Sequence, residues 1–412
     1  MIWAIENAGC IFVKRKEFIT IMISRDFFDI STLIIYVIMA ISSAVFIKKG
    51  ALLSQPDGMY SNNRIKLNRW HILFIIVLTM FATFRCVGSR IGGTDAMNYI
   101  REFEGSSSIT QAIFNNTLSI KEFVFAFYTF VLRCISPDYH LYFFVSYLFI
   151  AFTYICFFCK YANKIESKIP YVYLFFFFLK TFCSLRTGLA VAVFLWAIIF
   201  IDKKILSALL MICAVFVHRA TIIYAMFYLF YWLFQSKIKR KSGRTIFAFC
   251  VAIVFLMQAV AMVLKPYILQ LGFINATDYY YIASDRGGSI FTRWIMFLPQ
   301  ILLLFIFLFF RKRNDDTANE VISTCVIFDI IIIPFALSMG LFRANEYMFM
   351  PRLVLWSHYV TLIETRFIAK TRANKLIYRG IVFALFMAWF LFRLTHEWYD
   401  LGIMYYRLGG II

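Results

Sequence analysis

Arg85, Arg90 and Asp95 fall in one short polar stretch, Arg85-Cys-Val-Gly-Ser-Arg90-Ile-Gly-Gly-Thr-Asp95, directly after an apolar run, Trp70 to Phe84. Three further polar points interrupt apolar sequence. Arg186 sits in Cys183-Ser-Leu-Arg-Thr-Gly188, His218 and Arg219 sit side by side, and Arg343, Glu346 and Arg352 lie close together later in the chain. Guanidinium forks bind phosphate oxygens two at a time and stay charged at any working pH, so several around one cavity suit a pyrophosphate. An imidazole such as His218 can act as base or acid near neutral pH. Asp95 could serve as a general base or hold Arg85 or Arg90 in place. Tyr99 follows Asp95 by one helical turn, so both can face one cavity. Gly92 and Gly93 permit a tight turn that offers backbone N–H groups to an anion. The competing reading for each arginine is snorkelling or pairing with a carboxylate, and for His218 a structural hydrogen bond. Arg186 has no acid close to it in the chain, which disfavours local pairing and leaves an anionic substrate as its partner.

The elements that must position these residues are membrane helices. Hydrophobic residues make up 62% of the chain and charged ones only 16%, against about 45–50% and about 25% for a soluble domain. The net charge of +20 follows from Lys and Arg gathered in cytoplasmic loops rather than from nucleic-acid binding. A crossing needs roughly 20 apolar residues. Apolar runs near 30–47, 70–84, 140–159, 170–182, 188–201, 205–217, 220–234, 245–264, 294–310, 321–341, 350–364 and 377–392 predict about twelve transmembrane helices. Residues 1–29 read as an N-terminal tail, with Met22 as a possible true start. Residues 30–392 read as one transmembrane domain, and residues 393–412 as a C-terminal tail on the outer face.

One more apolar run, Phe123 to Ile135, is set aside by charge. If it does not cross, the basic loops 48–69, 160–168, 202–204, 235–244, 311–320 and 365–375 all face the cytoplasm. It is therefore expected to be a re-entrant or interfacial helix. That topology brings Arg85, Arg90, Asp95, Arg186, His218, Arg219, Arg343 and Arg352 to the opposite, outer face. Charges at membrane depth cost about 2.5–3.5 kcal/mol on insertion scales and mark functional sites. The segment 265–293 is expected to fold as a short amphipathic helix and loop over the same face.

Several signatures are missing. There is no nucleotide-binding glycine loop with Lys, no zinc motif and no nucleophile elbow. No Asp-Asp pair stands in an outer loop, and the nine Cys lack metal spacing. No cofactor and no metal are expected.

The four polar stations are similar to those of the EpsG-like family of Wzy-type polysaccharide polymerases. Arg90-Ile-Gly-Gly-Thr-Asp95 with Tyr99 resembles that family's cluster after the second span. Ser184-Leu-Arg186-Thr-Gly-Leu-Ala190 resembles its Ile-Arg-Gln-x-Ile-Ala stretch, with Thr187 in place of Gln. Phe216-Val-His218-Arg-Ala220 resembles its His-x-Ser-Ala stretch, with Arg219 in place of the residues before Ala. Arg343-Ala-Asn-Glu-Tyr347 resembles its late Arg…Tyr element. The resemblance runs in order from about residue 30 to 365. It implies a fold similar to GT-C glycosyltransferases and a bacterial inner-membrane enzyme. The implied substrate is an undecaprenyl-diphosphate-linked oligosaccharide, polymerised into capsule, O-antigen or exopolysaccharide at the outer face without a metal. Membrane lipid surrounds it, and a flippase and a chain-length regulator are the implied partners. On this reading Asp95 and His218 are catalytic, and Arg85, Arg90, Tyr99, Arg186, Arg343 and Tyr347 hold the diphosphate and sugars. The alternative is a flippase or exporter of the same glycan, which would more readily show internal repeats and charges at mid-membrane.

Overall fold

The computed structural model describes residues 29–54, 67–88, 91–110, 122–162, 166–270, 295, 297–311, 320–338, 346–368, 371–403 and 405–409. The N-terminal tail, Arg90, Arg343 and most of 265–293 lie outside the described residues. The described chain is all-α, with helices α1 (Ile30–Ser54), α2 (Arg69–Thr83), α3 (Ala96–Gly105), α4 (Phe123–Ile135), α5 (Tyr139–Tyr161), α6 (Leu174–Cys183), α7 (Leu185–Ile199) and α8 (Lys204–Val217). They continue as α9 (Ile222–Lys239), α10 (Gly243–Gln270), α11 (Leu298–Phe310), α12 (Glu320–Ser338), α13 (Phe349–Ile363) and α14 (Arg372–Leu401). Short 3₁₀ turns lead into α6 (Ile169–Tyr173) and α9 (Arg219–Thr221).

Within the described residues, each of the twelve apolar runs overlaps one of these helices. Among those residues, four stretches are long and apolar enough to cross a bilayer: Ile30–Leu52, Tyr139–Tyr161, Gly243–Leu264 and Arg372–Glu397. The others are shorter, because polar breaks such as Ser184 and His218 end them early. α14 carries on to Leu401, past the run that ends at 392, because Arg393 and Glu397 are buried against each other one helical turn apart rather than left at a helix end.

α5, the most buried of the long helices, packs against α2 and α7. α4 packs on α3, α5 and α8. It buries Phe125, Ala126, Thr129 and Leu132, and leaves Phe123, Phe127, Val131 and Ile135 exposed on its other side. Both faces are apolar, which suits a helix with protein on one side and hydrocarbon on the other.

Several buried charges are paired, most of them across helices, which offsets the cost of a low-dielectric interior. Arg352 of α13 meets Asp329 of α12 at 2.8 Å. Lys180 of α6 meets Glu346 at 3.0 Å and Glu397 of α14 at 3.3 Å, and Arg393 pairs with the same Glu397.

The polar stretch after α2 is pinned by the far end of the chain. Cys86 N–H donates to Arg407 O (2.7 Å), Gly409 N–H to Phe84 O (3.1 Å), Gly93 N–H to Gly402 O (3.0 Å) and Thr94 N–H to Leu401 O (3.1 Å). Tyr406 stacks on Phe81 with ring centroids 4.1 Å apart, and Tyr36 donates to Ile403 O at 2.9 Å. The turn itself needs its glycines. Gly92 has φ +70° and Gly93 φ +114°, and a Cβ on Gly93 would lie 2.1 Å from Phe182 O. Gly93→Ala should therefore destabilise the protein by more than ~1 kcal/mol and lower its melting temperature in detergent. An unchanged melting temperature would show that the turn can relax.

Candidate active site

α3 begins at the turn held by residues 401–409, and its helical period sets Asp95, Tyr99 and Glu102 on one side. α7 begins immediately after Ser184, the single residue between it and α6, so Arg186 is held in its first turn. Ser184 donates back to Lys180 O at 2.9 Å and toward Glu346 at 3.5 Å, which ties this joint to the buried charges behind it. α8 ends at Val217, and His218 turns in extended conformation into the 3₁₀ segment. Glu122 stands just before α4.

These elements bring four side chains together. Arg186 Nη1 donates to Glu122 Oε2 at 2.6 Å, and Arg186 Nη2 donates to Glu102 Oε1 at 3.3 Å. His218 Nδ1 lies 2.8 Å from Glu122 Oε1, which also accepts the Arg219 backbone N–H at 3.3 Å. The guanidinium of Arg186 lies over Phe125 (5.1 Å) and Tyr99 (5.7 Å). Burial alone would raise the Glu122 carboxyl, but the hydrogen bond from His218 and the Arg186 charge overcome it and hold it down at about 2. An ionised carboxylate only accepts, so Nδ1 of His218 carries the proton between them, and in the neutral imidazole Nε2 carries the lone pair. His218 retains 16% side-chain exposure and Arg186 21%, against 7% for Glu122. The arrangement is an imidazole oriented by a buried acid, with an arginine bracing that acid.

The expected residues divide. Arg186, His218 and Tyr99 converge here. Asp95 lies at the α6–α7 joint, where the Cys183 thiol meets it at 3.8 Å, and its charge reaches Glu102. Two expectations are corrected. Arg85 is 2% exposed and faces the core: its Nε donates to Gly92 O at 2.6 Å, Nη1 contacts Ala82 O, and its guanidinium lies over Phe143, Tyr147 and Phe182. It holds the glycine turn closed. Tyr347 is 1% exposed, bonded to Thr221 Oγ1 at 2.8 Å and stacked on Tyr224 at 4.5 Å, so it is a packing residue.

Two further readings change. Arg186 is neutralised by protein acids, 64 and 84 residues away in the chain, rather than left for an anion. The N–H groups of Gly93 and Thr94 bond carbonyls of the C-terminal segment, so they form no anion nest. Glu102 and Glu122 were missed by sequence reasoning. The first had a signal, three residues after Tyr99 and seven after Asp95 on the same helical face.

No curated protein and no solved structure matches the chain. The model of the EpsG family matches residues 68–407. That match takes in the glycine turn, all four clustered side chains and the C-terminal segment, and by it the chain belongs to the EpsG family.

Proposed function

We propose that this membrane protein polymerises oligosaccharide repeat units carried on undecaprenyl diphosphate, at the outer face of the bacterial inner membrane and without a metal. A polysaccharide-polymerase-like role follows from the family. The pairing of His218 with Glu122 carries the finer reading, because it supplies a positioned base for a hydroxyl nucleophile. About twelve crossings with α4 lying in the outer interface, in a fold similar to GT-C enzymes, would set this cluster at the membrane surface where lipid-linked glycan is presented.

In the proposed reaction the acceptor hydroxyl gives its proton to Nε2 of His218 as its oxygen bonds to the anomeric carbon of the donor unit. The bond from that carbon to the diphosphate breaks, and its electron pair leaves with the diphosphate. A lipid diphosphate is already a good leaving group, so cationic hydrogen-bond donors suffice to stabilise it. Arg90, Arg343 and Arg219 are assigned to it. Asp95 stands beside the cluster, and the buried Tyr99 ring backs the Arg186 guanidinium. A flippase and a chain-length regulator would act before and beside the enzyme.

The test is complementation of a strain lacking the gene, with the glycan resolved on a gel. The wild-type gene should restore a ladder. His218→Ala at matched membrane level should leave single repeat units, since a positioned base contributes about 10²–10⁴-fold. A full ladder from His218→Ala, or an unchanged glycan in the deletion strain, would remove this reading.

A further inference from the structure

The two acids that grip Arg186 differ in how far their oxygens are satisfied. Glu122 accepts from Arg186, His218 and the Arg219 backbone. Among the described residues Glu102 accepts only from Arg186, at 3.3 Å through Oε1, and its buried Oε2 has no hydrogen-bond partner. An ionised carboxylate has roughly four acceptor sites, and a buried acceptor left unmade costs about 1–3 kcal/mol. The Tyr142 hydroxyl, itself buried without a partner among the described residues, interacts with Glu102 but does not close the gap. Glu102 does not cap α3, and a Leu at this position of an amphipathic helix would leave no buried acceptor unmade.

We propose that Glu102 is a recognition residue for the acceptor glycan, its spare oxygen accepting a hydrogen bond from a sugar hydroxyl beside the one that His218 deprotonates. The inference rests on the polymerase reading and adds which end of the substrate this acid reads. Arg186 holds Glu102 and Glu122 by the two ends of one guanidinium, so Glu102 sits a fixed, short distance from the base that meets the acceptor. The side chain retains 15% exposure next to the partly open Arg186 and His218.

The groups facing Glu102 come from four elements. Arg186 comes from α7, Glu122 from the start of α4, Tyr142 from α5, and Asp95 from the turn before α3. Burial raises the Glu102 carboxyl, Arg186 draws it down, and Glu122 and Asp95 push it up, for a net rise. The side chain is short of hydrogen-bond donors among the described residues, and a sugar hydroxyl supplies one. A site built to bond a hydroxyl discriminates strongly against a sugar that lacks it, because the buried acceptor is then left bare.

The experiment uses membranes containing the full-length protein and, as substrate, the lipid-linked single units extracted from the deletion strain. Elongation is followed against substrate concentration for the wild type, Glu102→Gln and Glu102→Ala, with melting temperatures in detergent as the control for folding. Glu102→Ala should raise KM at least tenfold with kcat within about threefold of wild type. Glu102→Gln, which keeps one acceptor oxygen at the same place, should recover much of that loss. An unchanged KM in both variants, or a fall in kcat alone with a normal melting temperature, would overturn the assignment. Failure of the wild-type protein itself to lengthen the extracted units would instead remove the polymerase reading and this one with it.

Discussion

Glu122→Ala should abolish the glycan ladder, with a loss of at least a hundredfold in elongation rate. The residue accepts from Arg186 at 2.6 Å, from His218 at 2.8 Å and from the Arg219 N–H at 3.3 Å, so its removal frees the base and the brace together. His218 would lose both its orientation and the acceptor that fixes its proton on Nδ1. An unoriented base forfeits most of the 10²–10⁴-fold that general-base catalysis contributes. Glu122→Gln keeps the shape but turns an acceptor into a mixed donor and acceptor, so at best a faint ladder is expected. The acid itself should not titrate in the working range. Its folded value, about 2, lies below the ordinary 4.5. The stability it contributes is therefore fully present above about 4.5 and is lost only as pH falls through about 2. Melting temperatures of wild type and Glu122→Gln should converge as pH falls from about 4.5 toward 2. A wild-type ladder from Glu122→Ala would show that His218 is held by something else or is not the base.

The second large effect is at Arg186. Without its guanidinium, Glu102 and Glu122 face each other with no cation between them. Removing one partner of a buried ion pair costs about 3–5 kcal/mol, and the 21% exposure of Arg186 places this case toward the lower end. Arg186→Ala should give single repeat units and reduced protein in the membrane. Arg186→Lys keeps the charge but offers one ammonium where two separate N–H groups now reach two acids, so a faint ladder is expected. The triple variant Arg186→Ala, Glu102→Gln, Glu122→Gln removes the repulsion with the cation. It should recover membrane abundance without recovering the ladder, which separates folding from function. A full ladder from Arg186→Lys would mean that the fork geometry is dispensable.

The helices were legible because apolar runs are local. So were the tight joints at Ser184 and His218, beside which Arg186 and His218 stand, and the tight turn at glycines 92 and 93. What failed to show was pairing across the chain. Arg186 looked unpartnered because its acids come from α3 and the start of α4, and no local pattern links residue 186 to 102 or 122. Arg85 and Arg90 looked equivalent in composition. Only the path of the loop, which closes Gly92 O onto Arg85 Nε, decides that Arg85 points inward. The hold of residues 401–409 on the glycine turn runs through backbone N–H and C=O groups, which any residue except proline can offer in full, so it leaves no mark in side-chain pattern.

That last contact also bears on how the protein is made. The turn that launches α3, and with it Asp95, Tyr99 and Glu102, makes two backbone hydrogen bonds to residues 401–402, and residues 84–86 before it make two more to residues 407–409. Contacts of such sequence separation form late, because the loop between them must close first. A nascent chain still short of residue 401 can have its earlier helices seated in the bilayer and yet lack the partner that fixes this turn. Catalytic competence would then wait until residues 401–409 have been made and have reached this turn.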